Sequence, residues 1–261
     1  MVATQKYQAV GQLLAKPAGV LVAFSGGIDS TLVLKAALAA NSRVLAVTAT
    51  SALRSQAETE LAQELAGLLG ARHILIEATE LQNDAFRKNP KDRCYLCKSL
   101  LCQQLKTIAI ANDLELIVDG TNADDLTVYR PGVQALTEAG VVSPLAVVGL
   151  SKAEIRFLAQ DLGLPNWDRP SNPCLATRFP YGTLLTEADL ARVDRGEAAL
   201  RQLSFSQLRL RCHGDLARLE LPVTELSRAL ELREIIVKTL VEQGFRWVSL
   251  DLAGFSSGSW D

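Results

Sequence analysis

Gly19-Val20-Leu21-Val22-Ala23-Phe24-Ser25-Gly26-Gly27-Ile28-Asp29-Ser30 is the stretch that decides the fold. Val20 to Phe24 is an unbroken apolar run, β-branched in part, and predicts a buried strand. Two glycines end it. Ser30 then opens an apolar, alanine-rich run, Thr31 to Ala40, that predicts a helix. A strand, a glycine turn and a helix start together make an anion site, because the free amides point at the ligand and the helix dipole favours negative charge. Adjacent glycines let the backbone approach a phosphate with no Cβ in the way. The Gly-Lys-Ser/Thr ending of a Walker A loop is absent, and the glycine spacing is not that of a dinucleotide fingerprint.

Outward from this stretch, strands are predicted over 43–50, 73–77 and 116–120, with a short one over Val142 to Leu145. Between them fall a helix over 55–69, with the Ser55 and Glu58 spacing of a capping box, one from about Asp92 to Ala111, and one from Ser151 to Leu162. Residues 1–16 predict an amphipathic edge helix. Alternating strands and helices predict an α/β fold, a doubly wound parallel sheet covered on both faces. Ligands of such sheets lie beyond the carboxyl ends of the strands, where Thr48 and Thr121 would sit. Residues 163–181 form a long, turn-rich loop. After Gly182 the pattern changes: a helix over 187–203, alternating strands over 207–213 and 216–221, a helix over 227–242 and a strand over 245–250. The expected division is a nucleotide domain over 1–182 and a smaller α+β domain over 183–261.

Of the 261 residues 48% are hydrophobic, ample for a sizeable core, and the net charge is −2. That charge argues against nucleic acid as the main partner. No apolar run approaches the roughly 20 residues needed to span a bilayer, and the first sixteen residues lack a signal-peptide core. A cytoplasmic protein with reduced thiols is expected. Five cysteines, an odd number, speak against a disulfide framework and for metal, cluster or catalytic use.

Cys94 and Cys97 have the spacing that brings two thiolates to one metal or cluster; zinc, a cluster and a redox disulfide all fit the pair. Cys174 lies between Pro173 and Leu175 in the long loop, with Arg169 and Arg178 nearby. Positive charge favours thiolate, which is both nucleophile and ligand. Cys102, among leucines, and Cys212, alternating with Leu208 and Leu210, belong to apolar faces. The same alternation gathers Arg209, Arg211 and His213 on the opposite face as a phosphate or carboxylate clamp. Arg218 and Glu220 on the neighbouring strand extend the patch, and Glu197 and Glu220 are candidate ligands of a divalent ion.

The string Ser25-Gly-Gly-x-Asp-Ser30 resembles the pyrophosphate loop (PP-loop) of the ATP pyrophosphatase superfamily, whose fold is of the adenine nucleotide alpha hydrolase kind. The resemblance implies that ATP is split between its α- and β-phosphates and that an adenylyl group passes to a substrate oxygen. Ser25, Gly26, Gly27, Asp29 and Ser30, with Thr48, Thr121 and Lys152, would then bind ATP, and Asp29 would serve a Mg2+ ion.

A longer set of motifs runs in order through nearly the whole chain: Asp119-Gly-Thr-Asn-Ala-Asp-Asp125, Arg130-Pro-Gly132, Ser143-Pro-Leu145, Ser151-Lys-Ala-Glu-Ile-Arg156, Pro173-Cys-Leu-Ala-Thr-Arg178 and Pro180-Tyr-Gly182. It resembles the LarE family. That resemblance implies ATP-dependent sulfur insertion, in which the carboxylates of pyridinium-3,5-biscarboxylic acid mononucleotide are adenylated and become thiocarboxylates for a nickel-pincer cofactor. Arg209, Arg211 and Arg178 would bind this substrate. Some members sacrifice the sulfur of one cysteine, at the position of Cys174; others are thought to hold a [4Fe-4S] cluster with two more, here Cys94 and Cys97. Three thiolates on such a cluster leave one iron free to carry sulfide, whereas zinc would need a fourth ligand. The resemblance further implies a homo-oligomer, a hexamer. Rival readings are tRNA thiolation, an amide-forming synthetase of the NAD or GMP synthetase kind, and a non-catalytic nucleotide-binding scaffold.

Overall fold

The computed structural model describes residues 2–127, 130–170, 172–205 and 207–255. In chain order its elements are α1 (Ala3–Leu14), β1 (Val20–Ala23), α2 (Ile28–Ala40), β2 (Val44–Thr50), α3 (Gln56–Leu68), β3 (Arg72–Glu77), α4 (Asp84–Arg87), α5 (Arg93–Ala111), β4 (Leu116–Val118), α6 (Pro131–Glu138), α7 (Pro144–Val147) and α8 (Lys152–Asp161). There follow α9 (Glu187–Arg201), β5 (Arg209–His213), β6 (Leu216–Glu220), α10 (Leu226–Glu231), α11 (Arg233–Glu242) and β7 (Trp247–Leu250). No helix among the described residues is long and apolar enough to cross a membrane.

The chain divides into two compact units. The first comprises residues 1–80 and 92–172. Its four parallel strands run in the order β3-β2-β1-β4, with Val20 opposite both Val44 and Leu116. The interior place of β1 explains its uninterrupted apolar sequence, since a parallel strand is covered on both faces. Alternation then sorts its side chains: Val20 and Val22 join Leu32, Val33 and Leu34 of α2 in one core, while Leu21 joins Leu45, Val47 and Leu105 in the other. Each such fully buried aliphatic side chain contributes about 1.5–3 kcal/mol. The α/β doubly wound sheet is as the sequence predicts.

One predicted strand differs. Val142 makes a single parallel bridge to Val118, and the chain turns at once into α7. Pro144 occupies the first helical position of that turn, where a missing N–H is harmless; in a strand it would remove a ladder bond.

The second unit comprises residues 81–91 and 173–261. Its sheet runs β5-β6-β7, the first pair antiparallel and the second parallel. Gly214, at φ 64°, makes the hairpin turn. Leu210, Leu219 and Cys212 are buried, with Leu190, Val193, Leu240 and Phe245. The helix predicted over 227–242 divides at Leu232 into α10 and α11, where no glycine or proline marks a break. Residues 81–91 belong here because Asn89, wholly buried, donates to Phe179 O (3.2 Å) and Pro180 O (3.0 Å), while Gly182 N–H donates to Asn89 O (3.0 Å). The chain thus passes into the second unit at 172/173, ten residues before the 182/183 boundary expected from sequence, and residues 81–91, expected in the first domain, belong to the second unit.

Candidate active site

In the first unit the loop after β1 is held by its own hydroxyls. Ser30 Oγ donates to Gly27 O (3.0 Å) and accepts from Ser25 N–H (3.2 Å) and from Ser25 Oγ (3.0 Å), whose oxygen accepts from Gly27 N–H (3.2 Å). Gly26 has φ 72° and packs against Ala62 so closely that a Cβ would lie 3.0 Å from it. Gly120, two residues past the end of β4, is tighter still: a Cβ there would sit 2.7 Å from Ser30 N. The glycine lets the strand end meet the first turn of α2. Its first amides, from Ile28 on, have no acceptor within the helix and are left to a ligand. Ser25, Gly26, Gly27 and Ser30 are therefore arranged as an anion cradle.

Asp29 stands in that first turn. Its Oδ2 accepts from Lys152 Nζ at 2.5 Å, and its Oδ1 is buried with no hydrogen-bond partner. Burial raises its pKa above the ordinary aspartate value; Lys152 and, less strongly, the Asn122 side chain pull the other way, and Asp125 adds to the rise. A carboxylate oxygen that is buried and unsatisfied is costly, and a divalent cation relieves that cost. Asp29 thus fits the Mg2+ role. Lys152 is positioned by its backbone, which donates to Asp124 Oδ2 (2.8 Å), and by the Ser151–Glu154 capping box of α8.

Two expected ATP contacts are not offered to a ligand. Thr48 is wholly buried; its hydroxyl donates to Phe24 O (2.7 Å), which leaves His73 Nε2 to donate to it (2.8 Å). Thr121 donates to Asp119 Oδ2 (2.5 Å), whose other oxygen accepts from Ser143 (2.6 Å). Both brace the rim rather than line it, since a hydroxyl has a single proton to give. Two residues not singled out in the sequence take part. Asn166 donates to Gly26 O and to Thr31 Oγ1, each at 3.0 Å, and Arg54 donates to Ser25 O at 2.6 Å. Neither belongs to a motif, and only the fold brings them to the loop.

Cys94 and Cys97 lie in the first turn of α5, three residues apart and so on one face. Cys94 is exposed and Cys97 half-buried, and no disulfide joins any of the five cysteines. Gly132 of α6 lies against Cys94, where a Cβ would come within 3.7 Å of the cysteine's own. A paired, accessible thiol set of this kind suits a thiophilic metal or cluster. Among the described residues, no group of three or more His, Cys, Asp and Glu side chains converges as around one metal ion. Cys102 is buried, as expected, and burial raises its pKa.

In the second unit Cys174 caps the short helical turn Leu175–Arg178. Its carbonyl accepts from Thr177 N–H (3.0 Å) and Thr177 Oγ1 (2.8 Å). Arg178, expected to bind substrate, is instead wholly buried. It forms a two-pronged pair with Glu197 (2.7 and 3.1 Å) and donates to Pro173 O (3.1 Å) and Thr177 Oγ1 (2.8 Å). These bonds tie its guanidinium to the backbone and hydroxyl on either side of Cys174. Glu197 also accepts from Arg201 (2.7 Å) and Leu210 N–H (3.1 Å), so all four of its acceptor positions are taken. Glu220 accepts both prongs of Arg211 (2.9 Å each) and Arg218 (2.9 Å). The carboxylates expected to ligate a divalent ion are thus engaged by guanidinium groups and do not offer a vacant donor set.

Arg209 differs from Arg211. Arg211 is buried, neutralised by Glu220, and also donates to Thr177 O. Arg209 is half-buried, donates to its neighbour Leu208 O and lies 5.1 Å over the Phe255 ring. No carboxylate comes within ion-pair distance of it among the described residues. Burial, then the charges of Arg178, Arg211 and Arg201, bring its pKa down to about 10, with Glu197 opposing. Of the expected clamp it is the cation that most needs an anion. His213 shares that face, with its pKa lowered by burial and by Arg218 and Arg211.

Residues 19–89, the loop and its flanking strands, match the family model described as queuosine biosynthesis protein QueC. The chain is 44% identical over 241 residues to an uncharacterised protein of Synechocystis sp., covering 91% of this chain and 90% of that one. It is 42% identical over 241 residues to the pyridinium-3,5-bisthiocarboxylic acid mononucleotide synthase of Lactiplantibacillus plantarum, covering 92% of this chain and 87% of the relative. The solved structure of NMN synthetase from Francisella tularensis is similar in fold, with a TM-score of 0.54 at 19% identity, over 66% of this chain and 76% of that one.

Proposed function

The chain belongs to the LarE family, that of the pyridinium-3,5-bisthiocarboxylic acid mononucleotide synthase, and on that premise we propose that it uses ATP to insert sulfur into the carboxylates of pyridinium-3,5-biscarboxylic acid mononucleotide. The observation that carries the ATP half is the loop after β1, with ligand-directed amides and a buried, unsatisfied Asp29 Oδ1. In this reading the pyrophosphate of ATP lies on the loop and Asp29 serves its Mg2+. A substrate carboxylate oxygen bonds to the α-phosphorus, and the bond to the bridging oxygen breaks. Pyrophosphate leaves with the electron pair, and the carboxylate becomes an acyl adenylate. A weak sulfur nucleophile then attacks the carbonyl carbon, because AMP is a far better leaving group than oxide. Arg209 would hold the phosphate of the mononucleotide by a charge-assisted bond.

For the sulfur source we propose that Cys94, Cys97 and Cys174 ligate a [4Fe-4S] cluster. Such a cluster, when bound, supplies an iron with no protein ligand and hence a seat for sulfide. The Cys94–Cys97 pair, on one helical face with Cys94 exposed, supports this: a sacrificial mechanism gives it no task. The product would feed a nickel-pincer cofactor, and the protein would work as a homo-oligomer.

Anaerobic reconstitution with iron and sulfide tests the cysteine assignment. Four irons per chain, lost together with sulfide-dependent turnover in each of Cys94→Ala, Cys97→Ala and Cys174→Ala, is the expected result. Loss of one hydrogen sulfide of mass per chain after a single turnover, with Cys94→Ala still active, would establish Cys174 as the donor instead.

A further inference from the structure

Arg54 lies in the segment between β2 and α3, on the same rim as the loop. A turn places it: Arg54 N–H donates to Ser51 O (3.0 Å), Leu53 N–H donates to Ser51 Oγ (3.1 Å), and Leu53 is buried. The guanidinium reaches back so that Nη2 donates to Ser25 O at 2.6 Å, the first residue of the loop. Its Nε is buried with no acceptor. Among the described residues no carboxylate stands within ion-pair distance of it; Glu58 acts on it only at longer range, and burial brings its pKa below the ordinary arginine value. A guanidinium presents five N–H donors in a rigid fork. Here one is spent on a carbonyl, one is orphaned, and no counter-charge is supplied. Arg54 is half-buried, and holding a cation partly out of water in that state is costly unless an anion completes it.

We propose that Arg54 is a catalytic residue that binds the β- and γ-phosphoryl oxygens of ATP and stabilises the departing pyrophosphate. The inference rests on the reading of the Ser25–Ser30 loop as the ATP site. In the adenylation step the α-phosphorus exchanges one oxygen for another, no proton moves, and negative charge grows on the bridging oxygen and the β-phosphoryl group. A guanidinium beside the loop faces that charge, while Lys152 is occupied with Asp29. Binding to charge that grows in the transition state accelerates the step as well as tightening the ground state.

Titration calorimetry with inorganic pyrophosphate and, separately, with AMP, each with Mg2+, tests the assignment on the full-length chain. Arg54→Ala should raise the pyrophosphate Kd about ten- to a hundredfold, the range of a charge-assisted hydrogen bond, and leave the AMP Kd nearly unchanged. Arg54→Lys should recover part of the loss. Unchanged pyrophosphate binding in Arg54→Ala would overturn the proposal. So would equal losses for pyrophosphate and AMP together with a lower Tm, which would make Arg54 a brace of the Ser25 carbonyl. Wild-type protein that binds neither pyrophosphate nor ATP would remove the premise itself, a result that the variants cannot mimic.

Discussion

At the scale of single residues, two arginines two positions apart on β5 are expected to behave in opposite ways. Arg211 is buried against an equally buried Glu220. Arg211→Ala leaves the buried Glu220 with Arg218 as its remaining cation and should lower the unfolding free energy by no more than the low end of the about 3–5 kcal/mol that breaking a buried pair costs, read from urea denaturation. Arg209 has no such partner and should cost little stability when removed. Arg209→Ala should instead raise the KM for the mononucleotide about tenfold or more, with that for ATP unchanged. Glu197 sets the response to acid. Burial alone would raise its pKa, but Arg178, Arg201 and the Leu210 amide outweigh burial and hold it below the usual glutamate range. A carboxyl lowered in the folded state stabilises above its unfolded value of about 4.3 and loses that contribution as pH falls through the folded value. Urea midpoints measured between pH 7 and pH 3 should therefore drop steeply at the acid end, and Glu197→Gln should flatten that drop. The alternation of Leu208, Leu210 and Cys212 with Arg209, Arg211 and His213 was legible in sequence. Which arginine is neutralised was not, because Glu197 and Glu220 reach the cluster only through the packing of α9 and β6.

At the scale of elements, the loop after β1 depends on a neighbour distant in sequence. Gly120, two residues past β4, lies within 2.7 Å, by its missing Cβ, of the backbone of Ser30. Gly120→Ala must push the start of α2 or the end of β4, and neither can yield without moving the loop amides. Pyrophosphate formation should fall at least tenfold, while circular dichroism shows the helices intact; activity near wild type would show that the cradle tolerates the shift. The strand-turn-helix reading of Val20 to Ala40 followed from local patterning, since the apolar run, the glycine pair and the alanine-rich helix all agree. Thr48 and Thr121 show where that reasoning stops. Their place toward the carboxyl side of the sheet could be inferred, but their hydroxyls are claimed by Phe24 O and by Asp119. Likewise the apolar letters of Val142 to Leu145 suggested a strand, and Pro144 decided for a helical turn.

At the scale of the whole molecule, the alternation of strands and helices disclosed the parallel sheet, and motifs spread from Ser25 to Gly182 disclosed the family. Residues 81–91 could not be assigned to the second unit from sequence, because the ties are tertiary: buried Asn89 reads three backbone carbonyls of 176–180, and Gly182 and Leu185 N–H donate to Asn89 O and Arg87 O. Arg54 and Asn166 were equally hidden, being single polar residues outside any motif that reach the loop through tertiary structure alone. The account stands on one reaction: ATP-driven replacement of carboxylate oxygen by sulfur on the pyridinium mononucleotide. Its most direct test is anaerobic incubation of the cluster-reconstituted protein with ATP, Mg2+, sulfide and the biscarboxylic mononucleotide, followed by mass spectrometry of the nucleotide and assay of pyrophosphate. The prediction is a mononucleotide in which sulfur has replaced one oxygen per carboxylate, with pyrophosphate formed only when the mononucleotide is present, and neither product in Asp29→Ala. Pyrophosphate formed on addition of tRNA and not of the mononucleotide, or an unaltered mononucleotide alongside wild-type ATP turnover, would contradict it.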